Sequence, residues 1–183
     1  ISPDPYASFL NWMTKGEVIL FSDDEIKSTQ LISDSDVIFL MDFNSLDRLS
    51  NLSFLVKESS SRKIMIDHHQ DPDINCADII ISSPKMSSTC ELLYNVINDL
   101  GYLSLINKRI AEYLYTGVMT DTGSFKFSST TSETHLMISN LIKHDIDNSE
   151  IHSMIYDNYS EDRINLLGYC VSERMLVFQN YRS

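Results

Sequence analysis

Cysteine is scarce and unpatterned. Cys76, Cys90 and Cys170 are scattered, odd in number and without C-x-x-C spacing, which leaves no basis for a disulfide framework or a thiolate zinc site. With only five glycines and four prolines among 183 residues, the chain is not collagen-like, low-complexity or disordered. No apolar run approaches the roughly 18 residues that a membrane-spanning helix needs. The opening ISPDPYASFLNW lacks the basic start and apolar stretch of a secretory signal. Positive charge is also in short supply, 14 Lys plus Arg against 26 Asp plus Glu for a net −12, so a long phosphate backbone is repelled. These absences predict a soluble chain in a reducing, cytoplasmic compartment, with no membrane contact and no long duplex nucleic acid as partner. What is present, 43% hydrophobic and 22% charged residues in 21.0 kDa, suffices for one main domain with its own core.

The apolar residues come first in short runs. Residues 17–21 (EVILF), 36–41 (DVIFLM), 63–66 (KIMI) and 77–81 (ADIII) read as strands, and the second is apolar at nearly every position, as in a strand covered on both faces. Helix-length polar segments between them imply crossovers and a mainly parallel sheet with helices on both faces, an α/β fold. After Pro84 the period becomes helical. Ser87-Ser88-Thr89 before Glu91 opens a helix with a stripe of Leu92, Leu93, Val96, Ile97 and Leu100 that stops at Gly101. Further helices are expected over 107–119, 131–144, 149–157 and 161–176, and residues 177–183 read as a connector.

Ligands in open parallel sheets bind beyond the carboxyl ends of the strands. Two successive strands end there in carboxylates, Asp42 and Asp67, and Asp67 is followed by His68 and His69. Imidazole and aspartate together bind divalent transition metals, and a histidine can also meet a phosphate oxygen or pass a proton. The alternative is a polar loop after a strand, and Asp42 alone also fits a turn former. Asp121, at the head of an Asp-Thr-Gly turn, is either a turn residue or a third carboxylate for a metal-bound phosphate site. Arg48 can pair with a phosphate or neutralise Asp47. Ser87, Ser88 and Thr89 can offer hydroxyls and helix-start N–H groups to an anion or simply cap the helix. His135, His144 and His152 have no ligand partners at helical spacing and read as surface or packing residues.

In order along the chain, FLMDFNSLDRL, IDHHQDPDINCADIII, SSTCELLYNVI and YTGVMTDTGSFKF resemble the DHH phosphoesterase family, in particular its bacterial branch of oligoribonucleases that also act on 3′-phosphoadenosine 5′-phosphate. The likeness covers nearly the whole chain. It implies a manganese-dependent hydrolase with two ions, Mg2+ or Co2+ being alternatives. By motif, Asp42 would bridge the ions, His68 and Asp121 would complete one metal site, His69 would lie near the scissile phosphate, and Asp67 would support the histidines. Arg48, Ser87 and Ser88 become the substrate-binding candidates. The partner implied is a short oligoribonucleotide or a bisphosphonucleoside, and a homodimer is compatible.

Two departures accompany the resemblance. The family's first block, a histidine and two aspartates after an opening strand, would lie upstream of Ile1, and its glycine-rich, basic C-terminal domain would begin near Ser183. The expectation is therefore a partial catalytic domain over 1–160 lacking its first strand, with 161–183 as a connecting helix and linker, inactive by itself. The competing readings are a catalytically incomplete nucleotide-binding or interaction module, and a related hydrolase such as a pyrophosphatase, exopolyphosphatase, single-strand exonuclease or cyclic-dinucleotide phosphodiesterase.

Overall fold

A computed structural model describes residues 1–177. Residues 1–148 form one compact unit, and the described residues from 149 onward belong to a second.

The first unit is built on three parallel strands, β1 (Val37–Met41), β2 (Arg62–Asp67) and β3 (Ile79–Ser82), in the order β1-β2-β3. Leu40 pairs with Met65 and Met65 with Ile80, so these three share a face. That face, with Ile38, packs on Ile32 of α2 (Glu25–Ser33), which precedes β1, and on Leu52 and Val56 of α3 (Leu52–Glu58), the helix of the β1–β2 crossover. Each such side chain, fully buried, contributes about 1.5–3 kcal/mol. Ile66, of opposite parity, is buried as well. It belongs to the face served by a second helical layer, in which α4 (Thr89–Asp99) lies on β2, and α5 (Lys108–Asp121) and α6 (Ser132–Ile142) pack on α4 and on each other. The central strand β2 is covered on both faces, at Met65 and Ile66, whereas the double coverage expected for β1 is not found, because the face that carries Val37 and Phe39 stays open. β1 is an edge: β2 is its only partner among the described residues, and Val37 and Phe39 stand exposed.

The remaining helix of this unit, α1 (Asn11–Thr14), is a single turn closed by Lys15 at φ 44. The strand expected at 17–21 is not formed. Only a one-residue parallel bridge between Ser2 and Leu20 is present, held by Ser2 N–H to the Ile19 carbonyl and Phe21 N–H to that of Ser2. The left-handed Lys15-Gly16 pair on one side and the turn at residues 21–23 on the other leave too little extended chain for a ladder, and Phe21 enters the core as a single buried side chain.

The second unit carries most of α7 (Asn148–Tyr156) and all of α8 (Glu161–Tyr169), which Ser160 caps through the Arg163 N–H. The helix expected over 161–176 is α8 followed by a π-helical turn, Cys170–Arg174. Of the expected connector 177–183, all but Val177 lies outside the described residues.

Candidate metal centre

β1 ends at Met41, and Asp42 turns the chain with φ 67 while its N–H still bonds the Ile66 carbonyl at 3.1 Å. Aspartate is among the few residues that tolerate this left-handed backbone. β2 ends one register step further on, so the loop after Asp67 rises beside Asp42. Ser88 caps α4 by accepting the Glu91 N–H at 3.0 Å, and the helix starts at Thr89, pointing its first turn at the same crevice. Asp121 is the last residue of α5. The turn behind it is held by buried Thr122, whose hydroxyl donates to the Val118 carbonyl at 2.6 Å and accepts the Phe125 N–H at 3.0 Å.

Three segments thus meet at one imidazole. His68 Nε2 lies 3.8 Å from Asp42 Oδ1 and 3.7 Å from Asp121 Oδ2. These separations are too long for hydrogen bonds. Atoms bound at roughly 2.1 Å to one octahedral cation stand about 3 Å apart when adjacent and about 4 Å when opposite, so each of the two histidine–carboxylate spacings by itself suits a pair of donors on one ion. The other ring nitrogen, Nδ1, is 3.2 Å from the Met86 carbonyl. A carbonyl only accepts, so Nδ1 carries a proton and Nε2 is the ring nitrogen turned toward the two carboxylates. Among the described residues the donor group whose atoms all lie within 4.8 Å of one another is Asp42, His68 and His69, and Asp121 approaches it through His68. Carboxylate and neutral imidazole are suitable donors for a divalent cation.

The electrostatics agree. Burial first, then repulsion from Asp42, holds the Asp121 carboxyl above the usual carboxylate range, with His68 and His69 pulling the other way. A divalent cation relieves that repulsion directly.

Asp67 is fully buried, and it accepts His69 Nδ1 at 2.6 Å and the His69 N–H at 3.1 Å. The carboxylate thereby fixes the His69 tautomer and leaves Nε2 available. The two histidine rings stand edge to face, centroids 4.9 Å apart.

Of the residues singled out from sequence, the structure brings Asp42, His68, His69 and Asp121 together, with Asp67 beneath them. Arg48 is exposed on the 3-10 turn Leu46–Leu49 and forms no ion pair among the described residues. Ser87 and Ser88 are a correction: both are buried, Ser87 donating its hydroxyl to Glu91 Oε2 and Ser88 capping α4. Their oxygens are committed to the helix start and face no open surface. His135, His144 and His152 belong to no donor cluster among the described residues.

Sequence reasoning missed the partner of Thr89, whose hydroxyl donates to Asp42 Oδ1 at 2.7 Å, and the Met86 carbonyl under His68. The cap at Ser88 marks where α4 begins, but only the tertiary fold reveals what its first residue touches.

Residues 6–118 match the DHH family, N-terminal domain. The chain is 25% identical over 180 residues to the bifunctional oligoribonuclease and PAP phosphatase of Bacillus subtilis, covering 98% of this chain and 50% of that protein. It is 30% identical over 122 residues to the probable bifunctional oligoribonuclease and PAP phosphatase of Streptococcus mutans, 63% of this chain and 37% of that one. Among solved structures, an exopolyphosphatase-related protein from Bacteroides fragilis superposes with a TM-score of 0.94 at 41% identity, over 98% of this chain and 53% of that one. The chain spans about half or less of the length of these relatives.

Proposed function

Since the chain belongs to the DHH family, we propose that it forms the catalytic part of a divalent-cation-dependent phosphoesterase that releases nucleoside monophosphate from short oligoribonucleotides, removes phosphate from 3′-phosphoadenosine 5′-phosphate, or does both. The observation that carries this reading is the gathering of Asp42, His68 and His69 donor atoms within 4.8 Å of one another, with Asp121 3.7 Å from His68 Nε2. The names of the two bacterial relatives supply the substrate class.

Asp42, His68 and Asp121 would hold the cation, Mn2+ being the ion we favour, with a second ion sharing Asp42. When bound, such ions stabilise charge on phosphate oxygens and acidify water. The remaining steps belong to the chain. Met86 keeps His68 in the tautomer that coordinates. Asp67 locks His69 so that Nε2 can hydrogen-bond a phosphate oxygen or exchange a proton with the reacting groups. Arg48, exposed and unpaired, is the candidate contact for a more distant phosphate. A net charge of −12 suits a short substrate held at its end rather than along a long backbone.

The test is release of nucleoside monophosphate from di- to pentanucleotides, and of phosphate from 3′-phosphoadenosine 5′-phosphate, by the protein as its gene encodes it, with Mn2+ and with chelator. Inorganic polyphosphate, pyrophosphate and cyclic dinucleotides complete the panel. Equal turnover with and without metal, or full turnover by Asp42→Ala, contradicts the proposal.

A second reading is a nucleotide-binding module without catalysis. It is favoured by the donor count: the cluster has enough protein ligands for one ion, whereas two octahedral ions need roughly twice as many. Calorimetry separates the readings, since a module binds nucleotide whether or not Mn2+ is present.

A further inference from the structure

Glu91 is 4% exposed, and a carboxylate so placed must have its oxygens satisfied. Its Oε2 accepts both the N–H and the hydroxyl of Ser87, at 2.7 and 2.6 Å, and its Oε1 accepts the Thr134 hydroxyl at 2.9 Å. Thr134 is itself fully buried in the first turn of α6, tied into a capping box with Thr131. Glu91 therefore joins the starts of two helices 43 residues apart in sequence, and it does so in the turn that presents Thr89 to Asp42.

Asp42 needs such support. Its side chain is 55% exposed, and its strand has already ended. A free surface carboxylate samples several rotamers, and only some of them face His68. The Thr89 hydroxyl, on a residue 5% exposed, binds Oδ1 and selects one.

We infer that Thr89 and Glu91 are positioning residues of the metal centre: Glu91 fixes the first turn of α4 to α6, and Thr89 transmits that placement to the Asp42 carboxylate. The inference rests on the proposed metal-dependent reading, and the experiment distinguishes failure of either. Mn2+ alone is titrated into the full chain and followed by electron paramagnetic resonance, with circular dichroism and apo melting recorded for each variant. Thr89→Val, which keeps shape and removes the hydroxyl, is expected to weaken Mn2+ binding by roughly 10- to 100-fold, as loss of a group supporting a ligand commonly does, with the apo Tm little changed. Thr89→Ser should restore affinity to within about threefold of the parent chain. Glu91→Gln should weaken binding in the same direction. A purely structural role for Thr89 predicts no such loss and no rescue by serine. If Asp42→Ala abolishes Mn2+ binding while Thr89→Val matches the parent chain, the positioning inference is overturned and the metal centre stands. If Asp42→Ala binds Mn2+ as the parent does, the metal centre itself fails and the inference falls with it. Should Glu91→Gln not fold, the Thr89 pair decides alone.

Discussion

Gly117 of α5 and Cys90 of α4 touch with no space for a further atom: a Cβ on Gly117 would fall 2.2 Å from Cys90 Sγ and 3.0 Å from its Cβ. This contact lies one turn before Asp121 and next to Thr89, so the close approach of the two helices sets the depth at which Asp121 meets Asp42 and His68. Gly117→Ala is expected to destabilise the chain by about 1–3 kcal/mol, the usual cost of overpacking. It should also weaken Mn2+ binding by displacing α5. Urea unfolding and metal titration read both effects. Adding Cys90→Ala to remove the sulfur should recover part of the loss, and an unchanged urea midpoint for Gly117→Ala would show that the helices separate freely.

The three thiols should differ sharply in reactivity. Burial pushes Cys90 up to about 12, with further upward pressure from the charges of Asp121 and Asp42, and burial also raises Cys76. Cys170 is exposed. At pH 8 roughly one Cys90 in ten thousand is a thiolate, the form that alkylates. Mass spectrometry after brief iodoacetamide treatment should find Cys170 modified and the other two protected, with all three modified in denaturant. Cys90 labelling as quickly as Cys170 would contradict the packing.

Asp121 should make the metal-free chain pH-sensitive in a defined direction. Its folded carboxyl holds the proton to higher pH than the unfolded one, because of burial first and Asp42 second. Protonation of this group therefore favours folding below the ordinary carboxylate value, and that contribution is lost as pH rises through the folded value. Asp121→Asn should stabilise the metal-free chain at neutral pH and flatten its stability profile on the acid side. Saturating Mn2+ should raise the Tm of the parent chain, by about 2.7 kcal/mol of binding stabilisation at one hundred times the dissociation constant, and should leave the Asn variant nearly unshifted. Differential scanning calorimetry across pH, with and without Mn2+, checks all four outcomes.

Asp67→Asn keeps the shape of the buried group while removing the charge and one acceptor under His69. Turnover on a dinucleotide should fall by at least tenfold, with a smaller change in Mn2+ affinity, since His68 is held separately by the Met86 carbonyl. Steady-state kinetics beside a metal titration would reveal the split. Equal losses in both measurements would mean that Asp67 supports the whole loop rather than His69.

Much of the architecture was legible because it follows from burial. β1, β2 and β3 are apolar runs, although only the central β2 is buried on two faces, and α4 announces itself through Ser88 and its stripe. The false strand at 17–21 carries the same apolar signal, yet backbone turns on either side limit it to one bridge, and composition does not register φ angles. Strand ends directed attention to Asp42 and to the Asp67-His68-His69 triplet. Ser87 and Ser88 were misleading as substrate contacts because hydroxyl chemistry looks the same whether it faces solvent or a buried Glu91. The contact between Thr89 and Asp42 spans 47 residues, a separation at which no local pattern operates.

Position 42 is filtered twice, by what its side chain can coordinate and by what its backbone can adopt at φ 67. Asparagine and glycine pass the second filter and fail the first, whereas valine and isoleucine fail both. A descendant that gave up the proposed metal centre would accordingly accumulate Asn or Gly at this corner long before any branched residue, leaving a readable scar in an otherwise intact fold.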